Sequence, residues 1–90
     1  MQQIGFSGVD EANALGKGVI VTEYEYFGVY YRTIIGTLVK EGDKYLIQDP
    51  EVKYSEREKA FRKKHKLPEP EEPNPIKLGE YTTNIRLASP

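Results

Sequence analysis

A mainly β domain containing a small, sharply bent barrel is predicted by three observations. Val19 to Tyr26 and Val29 to Val39 are rich in Val, Ile, Tyr and Thr, types that suit a pleated surface, and Phe27-Gly28 separates them as a hairpin signal. Gly36 lies inside the second run, where glycine costs about 0.5–1 kcal/mol relative to alanine and marks a bend, a bulge or a close backbone approach. A third apolar run and an alternating C-terminal stretch follow, each after turn residues.

The 90 residues leave room for one core, since a chain of this size buries only about 60–65% of its unfolded surface. Taken in order, the elements begin with a short helix or coil before the turn Leu15-Gly-Lys-Gly18. A first strand follows, and then a second that bends at Gly36. Glu41-Gly-Asp43 is a turn, and Lys44 to Asp49 is a third strand closed by Pro50. Ser55-Glu-Arg-Glu58 has the capping-box pattern, in which Glu58 reaches back to the serine, so 55–66 is expected to be helical. Tyr54, Phe61 and Ala60 give that helix only a thin apolar face. The run Leu67-Pro-Glu-Pro-Glu-Glu-Pro-Asn-Pro75 is an extended connector. Ile76 to Gly79 and Glu80 to Ala88 close the chain as a half-buried strand or two very short ones. Tyr81, Thr83, Ile85 and Leu87 alternate there with Thr82, Asn84 and Arg86. So little C-terminal strand leaves an edge for another chain to cover.

Composition narrows the function classes. No cysteine occurs, which removes disulfides and thiolate metal sites and suggests a cytoplasmic, intracellular protein. No basic leader with an apolar core and no apolar run of membrane-spanning length is visible, so no membrane association is expected. The net charge of −1 conceals a block: residues 53–66 carry seven basic and two acidic groups, against four and eight in 1–52 and two and four in 67–90. A local basic block attracts polyanions, while the remaining surface repels them.

Catalytic motifs fare poorly. Gly16-Lys17-Gly18 leads into a strand and not a helix, so it is a turn and not a phosphate loop. His65 sits in Lys63-Lys64-His65-Lys66, where nothing fixes its geometry as a base. Glu69, Glu71 and Glu72 lie on the proline connector, and nothing in the sequence places Asp43 and Asp49 as a paired-carboxylate site. No catalytic residue, metal or cofactor is expected. Arg57, Lys59, Arg62, Lys63, Lys64 and Lys66 form a candidate phosphate-contacting segment, with a solvated helix face as the plain alternative. Tyr45, just after the Gly42-Asp43 turn, is the tyrosine placed to stack on a base.

The order LGKGVIV, hairpin, IIGTL, turn with Asp43, and Tyr45-Leu-Ile-Gln-Asp49 resembles the first motif of the Sm and Sm-like proteins. Ile85-Arg86-Leu87 after Leu78-Gly79 resembles a degraded second motif. The likeness divides a single 1–90 domain into a first motif region at 10–49, a variable insertion at 50–75 and a second motif region at 76–90. The drift and the charged insertion resemble viral or phage-type members.

The resemblance implies a five-stranded antiparallel barrel with an N-terminal helix. It also implies a homo-oligomeric ring, joined through the C-terminal edge strands, that binds single-stranded RNA in RNA processing. Asp43, Lys44, Tyr45, Asn84 and Arg86 are then the candidate RNA contacts. Leu46 stands where that family has an asparagine, and Leu87 where it has a glycine. An alternative alignment makes Asn84-Ile-Arg-Leu-Ala-Ser89 the last strand and sends Arg86 elsewhere. The competing expectation is a structural or protein-interaction module that keeps the ring without RNA recognition.

Overall fold

The computed structural model describes residues 4–88, so the ends of the expected 1–90 domain, including Ser89, lie outside the described residues. The elements run β1 (Ile4–Phe6), α1 (Glu11–Ala14), β2 (Gly18–Tyr24), β3 (Tyr30–Glu41), β4 (Lys44–Tyr54), α2 (Glu56–Lys64), β5 (Ile76–Lys77) and β6 (Thr82–Leu87). The protein is mainly β, with one sheet in the order β1-β6-β2-β3-β4-β5. Every described ladder is antiparallel except that of β1 with β6.

Two expectations are corrected here. The sheet has six described strands and not five, and it is not closed, because no ladder among the described residues joins its edge strands β1 and β5. The sixth strand, β1, pairs parallel with β6 from Ile4 opposite Thr83 to Phe6 opposite Ile85. The outer edge of β6, expected to be open, is therefore covered by the protein's own N-terminal segment, and Ser7 N–H extends this by donating to Ile85 O at 2.9 Å.

Gly36 shapes the sheet as its position suggests. Between β3 and β4 the register shifts, with Ile35 opposite Glu51 and Thr37 opposite Gln48, so that Asp49 and Pro50 together face Gly36. A Cβ on Gly36 would lie 2.5 Å from Ile47 Cγ2 and 2.6 Å from Gln48 O, closer than real contacts allow. Proline tolerates such a bulge because no ladder donor is needed there. β4 therefore continues past Pro50 to Tyr54 instead of ending at Asp49, and the insertion begins only at Ser55. Asp49, at φ 51°, is held by Asn74: its N–H donates to Asn74 Oδ1 at 3.0 Å, and Asn74 Nδ2 donates to Asp49 Oδ1 at 3.1 Å.

Alternation along the curled strands collects Val19, Val21, Ile34, Leu38, Ile47, Ile76, Leu78 and Ile85 on one face, closed by Ala14 of α1. Each fully buried aliphatic contributes roughly 1.5–3 kcal/mol. The Gly16-Lys17 turn joins α1 to β2 and clasps β3: Gly16 N–H donates to Leu38 O at 2.7 Å, and Leu38 N–H donates to Lys17 O at 3.1 Å.

α2 begins as its pattern predicts, with Ser55 Oγ accepting from Glu58 N at 3.1 Å. The reciprocal half of the capping box is absent. Ser55 N–H donates instead to Tyr31 O at 2.9 Å, and the Glu58 carboxylate accepts from Arg62 Nε at 3.1 Å. No residue of α2 is buried. No helix of the described residues is long and apolar enough to cross a membrane.

Candidate functional site

The β3–β4 turn places Asp43 and Lys44 in solvent, with Gly42 at φ 63° closing the two-residue loop. Tyr45 pairs with Lys40 on the same face of the sheet as Leu38 and Ile47, so its ring folds inward. It meets Phe6 edge-on at 5.9 Å between centroids, and Lys40 Nζ stands 5.3 Å from its ring. Lys40 also pairs with Glu11 at 3.3 Å. Tyr45 is thus a half-buried ring at the rim of the core, with less face free for stacking than a loop tyrosine has.

Asn84 and Arg86 do not join this turn. They lie on β6, opposite Thr22 and Ile20 of β2, and Asn84 Nδ2 donates to Ser7 Oγ at 2.7 Å. Two strands, β2 and β3, separate β6 from β4. Residues 82–87 form the last strand, which carries both Asn84 and Arg86. The basic side chain beside the turn is Lys77, which pairs with Leu46, while Leu78 N–H donates to Tyr45 O at 2.9 Å. Lys40 and Lys77 are the residues that sequence reasoning missed. The signal for Lys77 lies in Ile76-Lys77 as a strand of its own ahead of Leu78-Gly79.

The basic segment is arranged first as a helix that stabilises itself. Glu56 and Glu58 occupy its first turn, and Arg62, Lys63 and Lys64 its last, as the helix dipole favours. Lys59 pairs with Glu56 at 3.3 Å and Arg62 with Glu58 at 3.1 Å. Arg57, Lys63, Lys64 and Lys66 make no ion pair among the described residues and face solvent. Between α2 and the connector, Val52, Lys53, Lys63, Leu67, Pro68 and Pro70 line an open groove.

A buried polar cluster that the sequence did not announce lies near the β2–β3 end. Glu23 and Arg32 face each other in register and form an ion pair, with Glu23 at 1% exposure and Arg32 at 8%. Arg32 Nη1 donates to Glu72 Oε2 at 3.0 Å, and the Tyr54 hydroxyl donates to the other Glu72 oxygen. The guanidinium carbon lies 5.5 Å from the Tyr31 ring and 5.9 Å from that of Tyr81. Burial pushes the Glu23 carboxyl above its usual range, with the Arg32 hydrogen bond and charge opposing. For Arg32 burial acts downward, but Glu23 outweighs it and the guanidinium is held more firmly protonated. Burial, reinforced by Tyr81, lifts Tyr31 to about 12. Every member has a partner, so this cluster is structural: it ties the proline connector to the sheet.

Beyond the cluster, the β2–β3 connection exposes what the rest of the protein hides. Tyr26 is 82% exposed and Phe27 completely so, and Phe27 adopts φ 65°. A bulky residue in this left-handed region is uncommon and strained. Tyr24 and Tyr30 pack edge-on behind the tip at 6.3 Å, and Glu25 and Glu80 border the concavity beside it. Sequence patterning marks this aromatic end only as a hairpin separator.

Comparison with protein-family models, with curated proteins and with solved structures finds no match for this chain.

Proposed function

We propose that this protein is a non-catalytic assembly module, built on a curled Sm-like sheet, that joins other protein chains through its aromatic end. The single observation that carries this reading is Phe27. A completely exposed ring in a strained conformation, beside an exposed Tyr26, lowers solubility and strains the backbone with no return inside the fold. Aromatic side chains of this kind are the usual anchors of protein interfaces. The bend at Gly36 and the short helix α1 ahead of the long strands β2 to β4 support the Sm-like description. A ring of such subunits remains part of the reading, but its contacts lie at the aromatic end, because β1 already occupies the outer edge of β6.

A second reading is favoured by one observation. Lys40 stands over the half-buried Tyr45, while Lys44 and Lys77, which pairs with Leu46, are exposed on the other face of the same sheet end, next to the turn that holds Asp43. Single-stranded RNA would track such lysines through its phosphates, with a salt-dependent affinity.

One experiment separates the two. A photo-crosslinking benzoylphenylalanine is placed at position 27 or at position 43, and the full chain is irradiated in the cells that make it. Protein adducts at 27 and none at 43 are expected. Nucleic-acid adducts at 43, with position 27 silent, would overturn the assembly reading in favour of the RNA one.

A further inference from the structure

The aromatic tip and the groove beside α2 have complementary chemistry, and both belong to the same chain. We propose that the tip of one copy, Glu25-Tyr26-Phe27, docks into the groove between α2 and the proline connector of a second copy. This inference rests on the assembly reading and names its partner.

The groove offers what an exposed aromatic ring binds. Its wall is Leu67, Pro68 and Pro70, backed by Val52, and Leu67 is 44% exposed. Proline-rich segments are fixed near the extended conformation before binding, so docking on them costs little conformational entropy, and aromatic side chains are their usual counterpart. The segment is anchored at both ends: Leu67 N–H donates to Arg62 O at 2.9 Å, and Glu72 is held by Arg32 and Tyr54. The groove volume of about 710 Å³ falls in the range that encloses a few large side chains.

Charge points the same way. Lys53 and Lys63 on the groove make no ion pair among the described residues, whereas Lys59, Arg62 and Glu72 are already engaged. The tip carries Glu25, with Glu80 next to it. Among the described residues, Glu69 is the one uncompensated acid at the groove, so the balance favours an acidic visitor. Within one chain the two surfaces stay apart, since complete exposure of Phe27 means that no described part of its own chain covers it. α2 lies between them, turning Arg57 and Phe61 toward Glu25 and Tyr30, and Lys59 and Lys63 toward the groove.

A tip that fits a groove elsewhere on an identical chain makes a head-to-tail contact. Such contacts propagate into rings or filaments, or close as a two-fold pair when two copies exchange tips reciprocally. The surface involved is small, so association should be weak and grow with concentration.

The test is sedimentation equilibrium on the full chain over a wide concentration range. The wild type is expected to associate, as a reciprocal dimer or a larger assembly. Phe27→Asn keeps a side chain that tolerates positive φ, and should weaken association at least tenfold. A groove variant, Lys63→Glu with Leu67→Asp, should weaken it similarly, with unchanged circular dichroism in both cases. Mixed together, the two variants retain one intact tip and one intact groove, so they should form a one-to-one pair and nothing larger. The charge exchange Glu25→Lys with Lys63→Glu should associate within about twofold of the wild type. A wild type that stays monomeric, variants that associate as well as it does, or a mixture that fails to pair each overturns the proposal. A monomeric chain that still crosslinks to a different protein at position 27 would leave the assembly reading standing and remove only the second copy as partner.

Discussion

The two hairpin ends of the sheet treat their aromatic residues in opposite ways. At the β3–β4 end the loop is Gly42-Asp43, and the ring that follows, Tyr45, turns inward onto Phe6 under Lys40. At the β2–β3 end the rings of Tyr26 and Phe27 are the loop, and they point away from the protein at a cost in backbone strain. The first end is finished within one chain, and the second is not. Behind the second end the chain places its densest polar interactions, the Glu23–Arg32–Glu72–Tyr54 cluster, as a rigid base for a surface that none of the described residues covers. Rigid support beneath an exposed anchor is what a binding surface requires, because ordering on contact then costs less.

Removing that base should have the largest effect. Arg32→Met leaves Glu23 buried without its guanidinium, and breaking one side of a buried pair costs about 3–5 kcal/mol. The sign of its pH dependence follows from Glu23. A carboxyl whose folded pKa lies above its ordinary 4.5 binds protons more readily when folded. Stability is therefore greatest below the ordinary value and is lost as pH rises through the raised one. With Arg32 gone the opposing influence disappears, and the loss widens toward neutral pH. Urea unfolding of the variant between about pH 4 and 7 should show stability recovering on acidification. A flat profile would mean that Glu23 gains water or another partner and that the cluster is not the base of the aromatic end.

Next in size is the bend that sets the two ends apart. Gly36→Ala puts a Cβ against Ile47 Cγ2 and the Gln48 carbonyl, and the carbonyl cannot swing away as a side-chain end can. Overpacking of this kind costs about 1–3 kcal/mol. A shift in the urea midpoint with an unchanged slope is expected. A variant as stable as the parent would show that the close approach relaxes freely, and that the curl is set elsewhere.

The bend was legible in the sequence because a glycine inside a β-branched run gives up packing and conformational entropy, a loss that strands accept where the backbone bends or is closely approached. The cap at Ser55 was equally legible, since its partner is only three residues away. β1 was not: Ile4-Gly-Phe6 is too short to show a period, and its partner lies some eighty residues on. Pro50 misleads for a physical reason, since proline ends a regular strand but is accepted at a bulge, and the bulge is visible only once Asp49 and Pro50 are seen opposite Gly36. The inward turn of Tyr45 is readable in principle, because Tyr45 and Ile47 share a face by parity, and that phase decides its direction more than nearness to a turn does. The Glu23–Arg32 pair depends on register across the hairpin, and Glu72 reaches it over the proline connector, a distance no local pattern encodes.

The smallest expected effects make the most direct comparison, one ring from each end. Tyr45→Ala removes a half-buried ring from its contact with Phe6. Because full burial of an aromatic is worth about 3–5 kcal/mol on truncation, roughly half of that, about 2 kcal/mol, should be lost. Phe27→Asn removes a completely exposed ring and replaces it with a residue better suited to φ 65°. Relief of the strain should raise stability by up to about 1 kcal/mol in dilute monomer, as measured by thermal unfolding. The two substitutions then move stability in opposite directions although each deletes one aromatic ring from one end of the same sheet. If Phe27→Asn instead destabilises the dilute protein as much as Tyr45→Ala does, the tip is held by its own chain, and the contrast between a finished end and an unfinished one fails.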